Sequence, residues 1–486
     1  MKESKKVSLN YLFNTSYQLL ALIVPLITTP YISRVLKADG IGVYSYTYSI
    51  VCYFTLCAIL GTATFANKQI GVLQDNPIER TKKFWDIFSL RTLTSILALI
   101  FYAVYVVFGA QNKTIAWLQS FYILGVLFDV SWFFQGMEDY RRIAIRNYIF
   151  KIINVISIFV FIHEPSDLWK YVFSLAFLTW LGNLSVWPFL RKYLVKISYY
   201  KPKPFADIKV ILQLFVPTVA LQVYAILDKT MLGQITLDAA QNGYYEQAEK
   251  IVKMCLMLVT ALSTVLLPKV SKAYAEQRPE EAKDYLYKAY KFVWFLGTPL
   301  MCGTAVVAPI LVPVFFGEGF SPVVRILQVM SLLFAVMGFN YTSGTLFFIA
   351  AGKEKDYTKR VIVGGLVNFC FNIIIIQKCG ALGAAVSSVL GELVIMLMEF
   401  QYMHKHKTIS VEYVFLLGRK YLFAGIIMVI VIKYFSGRIC VSAISLSILI
   451  IIGVIVYFLM LLLEREDFTK VGIITIANGV KKLLKR

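Results

Sequence analysis

Fourteen long apolar runs follow one another along the chain, and no water-soluble core could bury them all. About 20 apolar residues in a helix cross a hydrocarbon core of roughly 30 Å. Backbone polar groups in lipid need internal partners, and the runs lack the alternation of a barrel, so each predicts a helix. We therefore predict an all-α polytopic membrane protein with about 14 transmembrane helices. The predicted spans lie near residues 10–33, 41–64, 86–109, 115–136, 143–162, 168–190, 208–236, 245–267, 290–313, 322–350, 360–376, 380–403, 421–436 and 441–463.

The composition and the missing motifs argue against an enzyme. Charged residues make up 16% of the chain, whereas soluble domains carry about 25%. Three histidines and seven cysteines without a CxxC pair predict neither a metal site nor a cofactor. No GxxxxGK[ST] loop is present, so no ATP site of that type is predicted. An enzyme is therefore disfavoured, and no catalytic residues are predicted.

The distribution of lysine and arginine predicts the orientation. Of the 49 basic residues, 37 fall in every second connection and at both ends of the chain. The positive-inside rule therefore places both termini in the cytoplasm. This topology accounts for the net charge of +21 without a nucleic-acid partner. The tail at 464–486 is typical of a basic amphipathic helix on the inner membrane surface. The basic groups lie at 1–10, 65–85, 137–151, 191–209, 268–291, 351–360, 404–420 and 464–486.

The first and seventh spans share a pattern that indicates an internal repeat. A Val-Pro pair ending at Pro25 precedes Gly42-x-Tyr, and another ending at Pro217 precedes Gly243-x-Tyr. Two short matches can also arise by chance. A true repeat would begin on the same side of the membrane in both copies, an arrangement that transporters use with the substrate path between the halves. The two prolines would then kink equivalent helices.

The same offset brings two lysines into equivalent positions. Lys68 and Lys269 each follow the repeat glycine by 26 residues, which is about 39 Å along a helix and a full membrane crossing. Each half therefore places a lysine at the cytoplasmic mouth of its second helix.

Adjacent charges interrupt the seventh span. Asp228 and Lys229 lie about 27 Å from its cytoplasmic start, in the outer part of the bilayer. Lys250 and Lys253 in the next span each have a glutamate four residues earlier, a spacing that favours ion pairs on one helix. Two interpretations remain open: self-neutralising pairs near the outer headgroups, or a cationic wall facing an outward vestibule.

Four other charges lie in or at the ends of predicted spans. Arg34 ends the first span, where membrane anchoring and substrate contact are both open. Arg91 is interpreted as an anchor whose side chain extends to the interface. Asp129 could carry a proton or a sodium ion, or bond a neighbouring helix. For Glu392 we favour the structural role.

Four stretches resemble one bacterial family. They are "TPYISRVLKADGIGVYSYTYSI", "DVSWFFQGMEDYRRIAIRN", "LDKTMLGQ" with "NGYYEQAEKI", and "GALGAAVSS". In this order they resemble the Wzx-type polysaccharide-repeat-unit flippases of the multidrug/oligosaccharidyl-lipid/polysaccharide exporter superfamily, through about the first 400 residues. The resemblance implies a V-shaped fold of two pseudo-symmetric six-helix bundles with two added helices. The implied domains are 1–200, 201–405 and 406–486.

The resemblance also implies a function. The cargo would be a polyprenyl-pyrophosphate-linked oligosaccharide, moved across a bacterial cytoplasmic membrane by alternating access with H⁺ or Na⁺ as coupling ion. A polysaccharide polymerase and glycosyltransferases would be partners, beside membrane lipids. A diphosphate needs cations inside the membrane, and Asp129 and Asp228 are candidates for ion coupling or a structural charge. The candidate cationic contacts are Arg34, Lys68, Lys229, Lys250, Lys253 and Lys269.

Four other functions are alternatives to this one. Export of a teichoic-acid precursor is the nearest, since cavity shape decides which sugars are accepted. A drug/cation antiporter on the same fold is disfavoured by the surplus of lysines. A membrane scaffold would not need basic residues at repeat-equivalent positions. An intramembrane glycosyltransferase would be expected to have a large extracytoplasmic loop, which the sequence lacks.

Overall fold

The computed structural model describes residues 2–466 and 468, and these residues form helices with short connections and no strand. The predicted all-α class is confirmed for this part of the chain. The predicted amphipathic tail lies, apart from its first residues, outside the described residues. The helices are α1 (Lys2–Ile59), α2 (Thr62–Val72), α3 (Pro77–Phe108), α4 (Lys113–Phe128), α5 (Ser131–Gly136), α6 (Tyr140–Phe161), α7 (Leu168–Ser185), α8 (Ile208–Thr236), α9 (Ala239–Ala275), α10 (Pro279–Phe316), α11 (Ser321–Met330), α12 (Leu333–Thr342), α13 (Glu354–Lys405), α14 (Val411–Ser436) and α15 (Ala443–Leu463).

The apolar helices confirm a multi-span membrane protein. Within the described residues, 11 helices are long and apolar enough to cross a membrane, or 12 if a bent pair in α8 is one span. Two helices contain a break: Lys37 is non-helical in α1, and Gly380 is non-helical in α13. The two parts of α13, 354–379 and 381–405, are each long enough for one crossing. The predicted total of 14 spans stays a prediction.

Several predicted spans differ from the helices observed. The fourth is divided at Asp129, which ends α4 before α5 begins. The thirteenth, predicted as a short span over 421–436, is the 26-residue helix α14. The seventh bends by 41° between Ile208–Val216 and Thr218–Thr236, at the position of Pro217.

Side-chain caps fix the start of three helices. The side chains of Asn76, Ser410 and Ser442 each accept a hydrogen bond from the backbone N–H three residues later, at 3.1–3.2 Å. Such caps satisfy donors that the first helical turn leaves unpaired. They fix where these three helices begin.

The chain divides into two compact units, Met1–Gly243 and Tyr244–Arg486. The first unit has an aromatic core around Phe84, Trp132 and Phe133, and a second cluster around Tyr102 and Ile123. The predicted division into 1–200, 201–405 and 406–486 stays a prediction. Helix α8, predicted to open the second bundle, lies in the first unit.

The second unit packs around large aromatic side chains. Tyr290, Trp294, Phe339 and Phe400 are buried together. The Trp294 indole donates to the Val414 carbonyl at 2.9 Å, because a buried indole N–H needs a partner. This bond joins α10 to α14.

Candidate functional site

Polar side chains join α8 to α1 in the first unit. The Tyr53 hydroxyl lies 3.1 Å from the Thr230 hydroxyl, which donates to Ser49 at 3.0 Å. One helical turn further on, the Gln234 amide donates to the Tyr46 hydroxyl. Hydroxyl and amide bonds between apolar helices fix their register, because lipid offers no competing partner.

The two charges of the seventh predicted span, Asp228 and Lys229, lie on α8 close to these hydrogen bonds. Asp228, only 9% exposed, is two residues before Thr230. Lys229 is half-buried. An apolar helix that keeps a half-buried lysine is a functional-site candidate.

The other two candidate cations of the first unit are exposed. Arg34 donates from Nη1 to the Pro30 carbonyl of its own helix at 3.1 Å. Lys68 lies on α2, near its end. Both side chains are accessible to a ligand.

The second unit contains the remaining candidate lysines on α9. Lys250 lies 3.4 Å from Glu246, and Lys253 lies 2.8 Å from Glu249. The predicted ion pairs are therefore present. Pairing does not bury these lysines completely, since the side chain of Lys253 is 58% exposed and that of Lys250 is 26% exposed. Lys269 is exposed near the end of α9.

Arg91 corrects the sequence interpretation. It does not reach the interface: its side chain is 1% exposed, and Nη2 lies 3.4 Å from the Asp129 carboxylate. Asp129 also accepts from the Ser131 N–H at 2.9 Å, in the gap between α4 and α5. The sequence contained one signal for this ion pair, because Asp129 is an opposite charge in the next predicted span.

The Arg91–Asp129 pair faces a cavity of about 190 Å³ inside the first unit. Polar groups of Tyr48, Thr55 and Asn183 line it with the ion pair. Two guanidinium nitrogens of Arg91, Nε and Nη1, are buried without a hydrogen-bond partner among the described residues. A cavity of this size has room for water, which can reach Asp129, whose side chain is 27% exposed.

Two buried acids lie on the second half of α13. The carboxylate of Glu392 accepts from the Asn340 amide at 2.6 Å, as the structural interpretation expected. Glu399 is fully buried, and neither of its carboxyl oxygens has a hydrogen-bond partner among the described residues. Glu399 lies only four residues before the predicted end of its span, where an acid is ordinary, so the sequence did not single it out.

We expect Glu399→Met to stabilise the protein. Burying a polar group without a hydrogen bond costs about 1–3 kcal/mol, and methionine fills a similar volume without that cost. A higher thermal unfolding midpoint of purified protein in detergent would confirm this. Glu280→Met, at an exposed residue of α10, is the matched control and should leave the midpoint unchanged. An equal shift in both variants would contradict the prediction.

No group of three or more His, Cys, Asp or Glu residues that could hold a metal ion occurs in the part of the chain that the structure describes.

Comparisons with known proteins agree with this architecture. A family model described as "Polysaccharide biosynthesis protein" matches residues 8–274. A Shigella dysenteriae protein named an O-antigen transporter is 22% identical over 377 residues, covering 77% of this chain and 94% of its own. The structure of the lipid II flippase MurJ, in an inward closed conformation, matches with a TM-score of 0.74 at 18% identity, over 94% of this chain and 99% of its own. An inward-facing MATE multidrug transporter matches with a TM-score of 0.59 at 14% identity, over 82% and 99%.

Proposed function

Since the chain belongs to the polysaccharide biosynthesis protein family, we propose that it is a flippase for lipid-linked oligosaccharides. The cargo is a polyprenyl-pyrophosphate-linked repeat unit of a capsule, O-antigen or exopolysaccharide. It moves from the inner to the outer leaflet of a bacterial cytoplasmic membrane by alternating access, driven by an ion gradient. Both termini lie in the cytoplasm.

The observation that carries this proposal is the half-buried Lys229 in the apolar helix α8. A diphosphate crossing a membrane must exchange water for fixed cations, which act strongly at low dielectric. The relative named an O-antigen transporter and the fold shared with a lipid II flippase support the same cargo class.

The cations would act in sequence along the path. Lys68 and Lys269, exposed on α2 and α9, would receive the diphosphate at the cytoplasmic side. Arg34, Lys229 and Lys250, together with Lys253, would hold it when the outer side opens. Asp228 would keep Lys229 in place, and Asp129 would remain a candidate for ion coupling, although its bond to Arg91 favours a structural role.

We expect Lys229→Ala to slow leaflet exchange at least 10-fold. A hydrogen bond to a charged group contributes about 1.5–3 kcal/mol, and each 1.4 kcal/mol corresponds to about a factor of 10. The measurement uses purified protein in liposomes that contain a fluorescent polyprenyl-pyrophosphate oligosaccharide. A membrane-impermeant quencher added outside reports exchange.

Lys433→Ala is the matched control, because Lys433 is an exposed lysine at the end of α14 and is not among the proposed contacts. If leaflet exchange is equally fast in liposomes with and without the protein, whether or not a proton or sodium gradient is present, the flippase proposal is wrong. Efflux of a cationic dye in the same liposomes would instead favour the drug/cation antiporter. Exchange of a teichoic-acid precursor in preference to oligosaccharide diphosphates would favour that cargo.

A further inference from the structure

A groove runs between α6 and α7 on the surface of the first unit. Its wider part, about 760 Å³, lies where α6 begins and where the 3₁₀ turn Trp187–Lys192 follows α7. A second cavity of about 270 Å³ continues along the same two helices. Both are lined by Arg146 and Phe150, so they form one continuous groove. The predicted topology places its wider part at the cytoplasmic side of the membrane.

The groove is strongly cationic. Five basic side chains line it, against the single acid Asp139 among its lining residues. A site with this charge attracts anions, and basic pockets between membrane helices on the cytoplasmic side bind anionic lipid headgroups. The basic residues are Arg141, Arg142, Arg146, Lys151 and Lys192.

Two of these arginines are held in place by the protein. Arg146 donates from Nη1 to Ser131 at 2.9 Å and to Asn183 at 3.0 Å. Arg142 pairs with Asp139 at 2.6 Å, and its guanidinium lies 4.7 Å from the centre of the Phe189 ring. The site is therefore ordered before any ligand binds, which lowers the entropic cost of binding.

Two cations of the groove are free to bind an anion. Arg141 and Lys192 are exposed, and neither forms an ion pair with a described residue. Both therefore keep N–H groups available for an anion, and the guanidinium group of Arg141 matches phosphate geometry.

The rim of the groove is apolar. Ile145, Ile149, Ile152 and Ile156 form one stripe along α6 and are between 39% and 55% exposed. Phe189 is 48% exposed at the end of the groove. Ile145 and Ile149 line the wider part of the groove, and the rest of the stripe continues beyond it. An anion that carries an acyl chain beside its phosphate therefore matches both the cations and the stripe.

We propose that this groove binds an anionic phospholipid of the cytoplasmic leaflet, with its phosphate among Arg141, Arg142 and Lys192 and an acyl chain along the isoleucine stripe of α6. None of the residues that line this groove is among the contacts proposed above for transport.

The test uses full-length protein, delipidated in detergent and titrated with phosphatidylglycerol or phosphatidylcholine while bound lipid is counted by native mass spectrometry. We expect phosphatidylglycerol to bind at least about 10-fold more tightly than phosphatidylcholine. The double variant R141Q/K192Q should lose that preference, since each cation near a membrane surface changes anionic-lipid binding by about fivefold. The matched control K355Q/K405Q removes two exposed lysines from the ends of α13 and should keep the preference.

Several outcomes would overturn the proposal. These are equal binding of the two lipids by the unaltered protein, or an equal loss in the control and in R141Q/K192Q. Displacement of phosphatidylglycerol by inorganic phosphate at millimolar concentration would show that phosphate alone is recognised. If polyprenyl diphosphate displaces bound phosphatidylglycerol at a lower concentration than added phosphatidylglycerol does, the groove binds the cargo carrier instead. If the double variant does not fold, R141Q alone carries the test, with an expected loss of about fivefold.

Discussion

Replacing Arg91 by methionine is expected to lower the free energy of unfolding by about 3 kcal/mol. The side chain of Arg91 is 1% exposed and lies 3.4 Å from Asp129, so the substitution leaves a carboxylate without its cation. Breaking a buried ion pair in this way typically costs about 3–5 kcal/mol. The adjoining cavity admits water, which can solvate Asp129 and keeps the expected loss at the lower end. Denaturant titration in detergent micelles measures the change.

A double-mutant cycle separates the pair from the packing of each side chain. If the two charges depend on each other, Arg91→Met with Asp129→Leu should cost less than the sum of the single variants, by about 0.5–3 kcal/mol. The matched control is Lys82→Met, which breaks the exposed pair with Glu79 and should change stability by about 1 kcal/mol or less. Additive losses at Arg91 and Asp129 would contradict a stabilising pair.

The sequence predicted the helical class because apolar length is a strong signal in a membrane protein. It also indicated two breaks: the predicted connection after residue 33 contains Lys37, and the one at 377–379 ends directly before Gly380, which was predicted as the first residue of the twelfth span. It did not predict that the helical run resumes immediately after a single non-helical residue. Hydropathy marks where a chain leaves the bilayer, whereas the backbone angles at one residue leave no trace in composition.

The candidate site was predicted only in part. The pairs of Lys250 and Lys253 follow from spacing on one helix, and both are present. The pairing of Arg91 with Asp129, and the burial of Glu399 without a partner, depend on how separate helices pack. The cationic groove between α6 and α7 has the same origin, because Arg142 and Lys192 are 50 positions apart and meet only through the fold.

The two glycines of the predicted repeat, Gly42 and Gly243, allow the backbones of α1 and the start of α9 to touch. A Cβ atom on Gly42 would overlap the Ala239 carbonyl and stand 2.9 Å from the Gly243 nitrogen, and one on Gly243 would overlap the Ala38 carbonyl. Backbone atoms cannot rotate away as a flexible side chain can. We therefore expect Gly42→Ala to cost about 2–3 kcal/mol, the upper part of the range for overpacking, and Gly42→Val to yield little folded protein by size-exclusion chromatography.

Gly303→Ala is the matched control, because it adds the same atom to the interior of α10, where the nearest neighbour is the Met428 methyl at 3.7 Å. There alanine should stabilise by up to about 1 kcal/mol through helix propensity alone. If Gly42→Ala and Gly303→Ala change the unfolding midpoint in the same direction, close backbone contact is not what requires glycine at position 42. If Gly42→Ala lowers the unfolding midpoint and Gly303→Ala raises it, the close contact between the two backbones is what requires glycine at position 42.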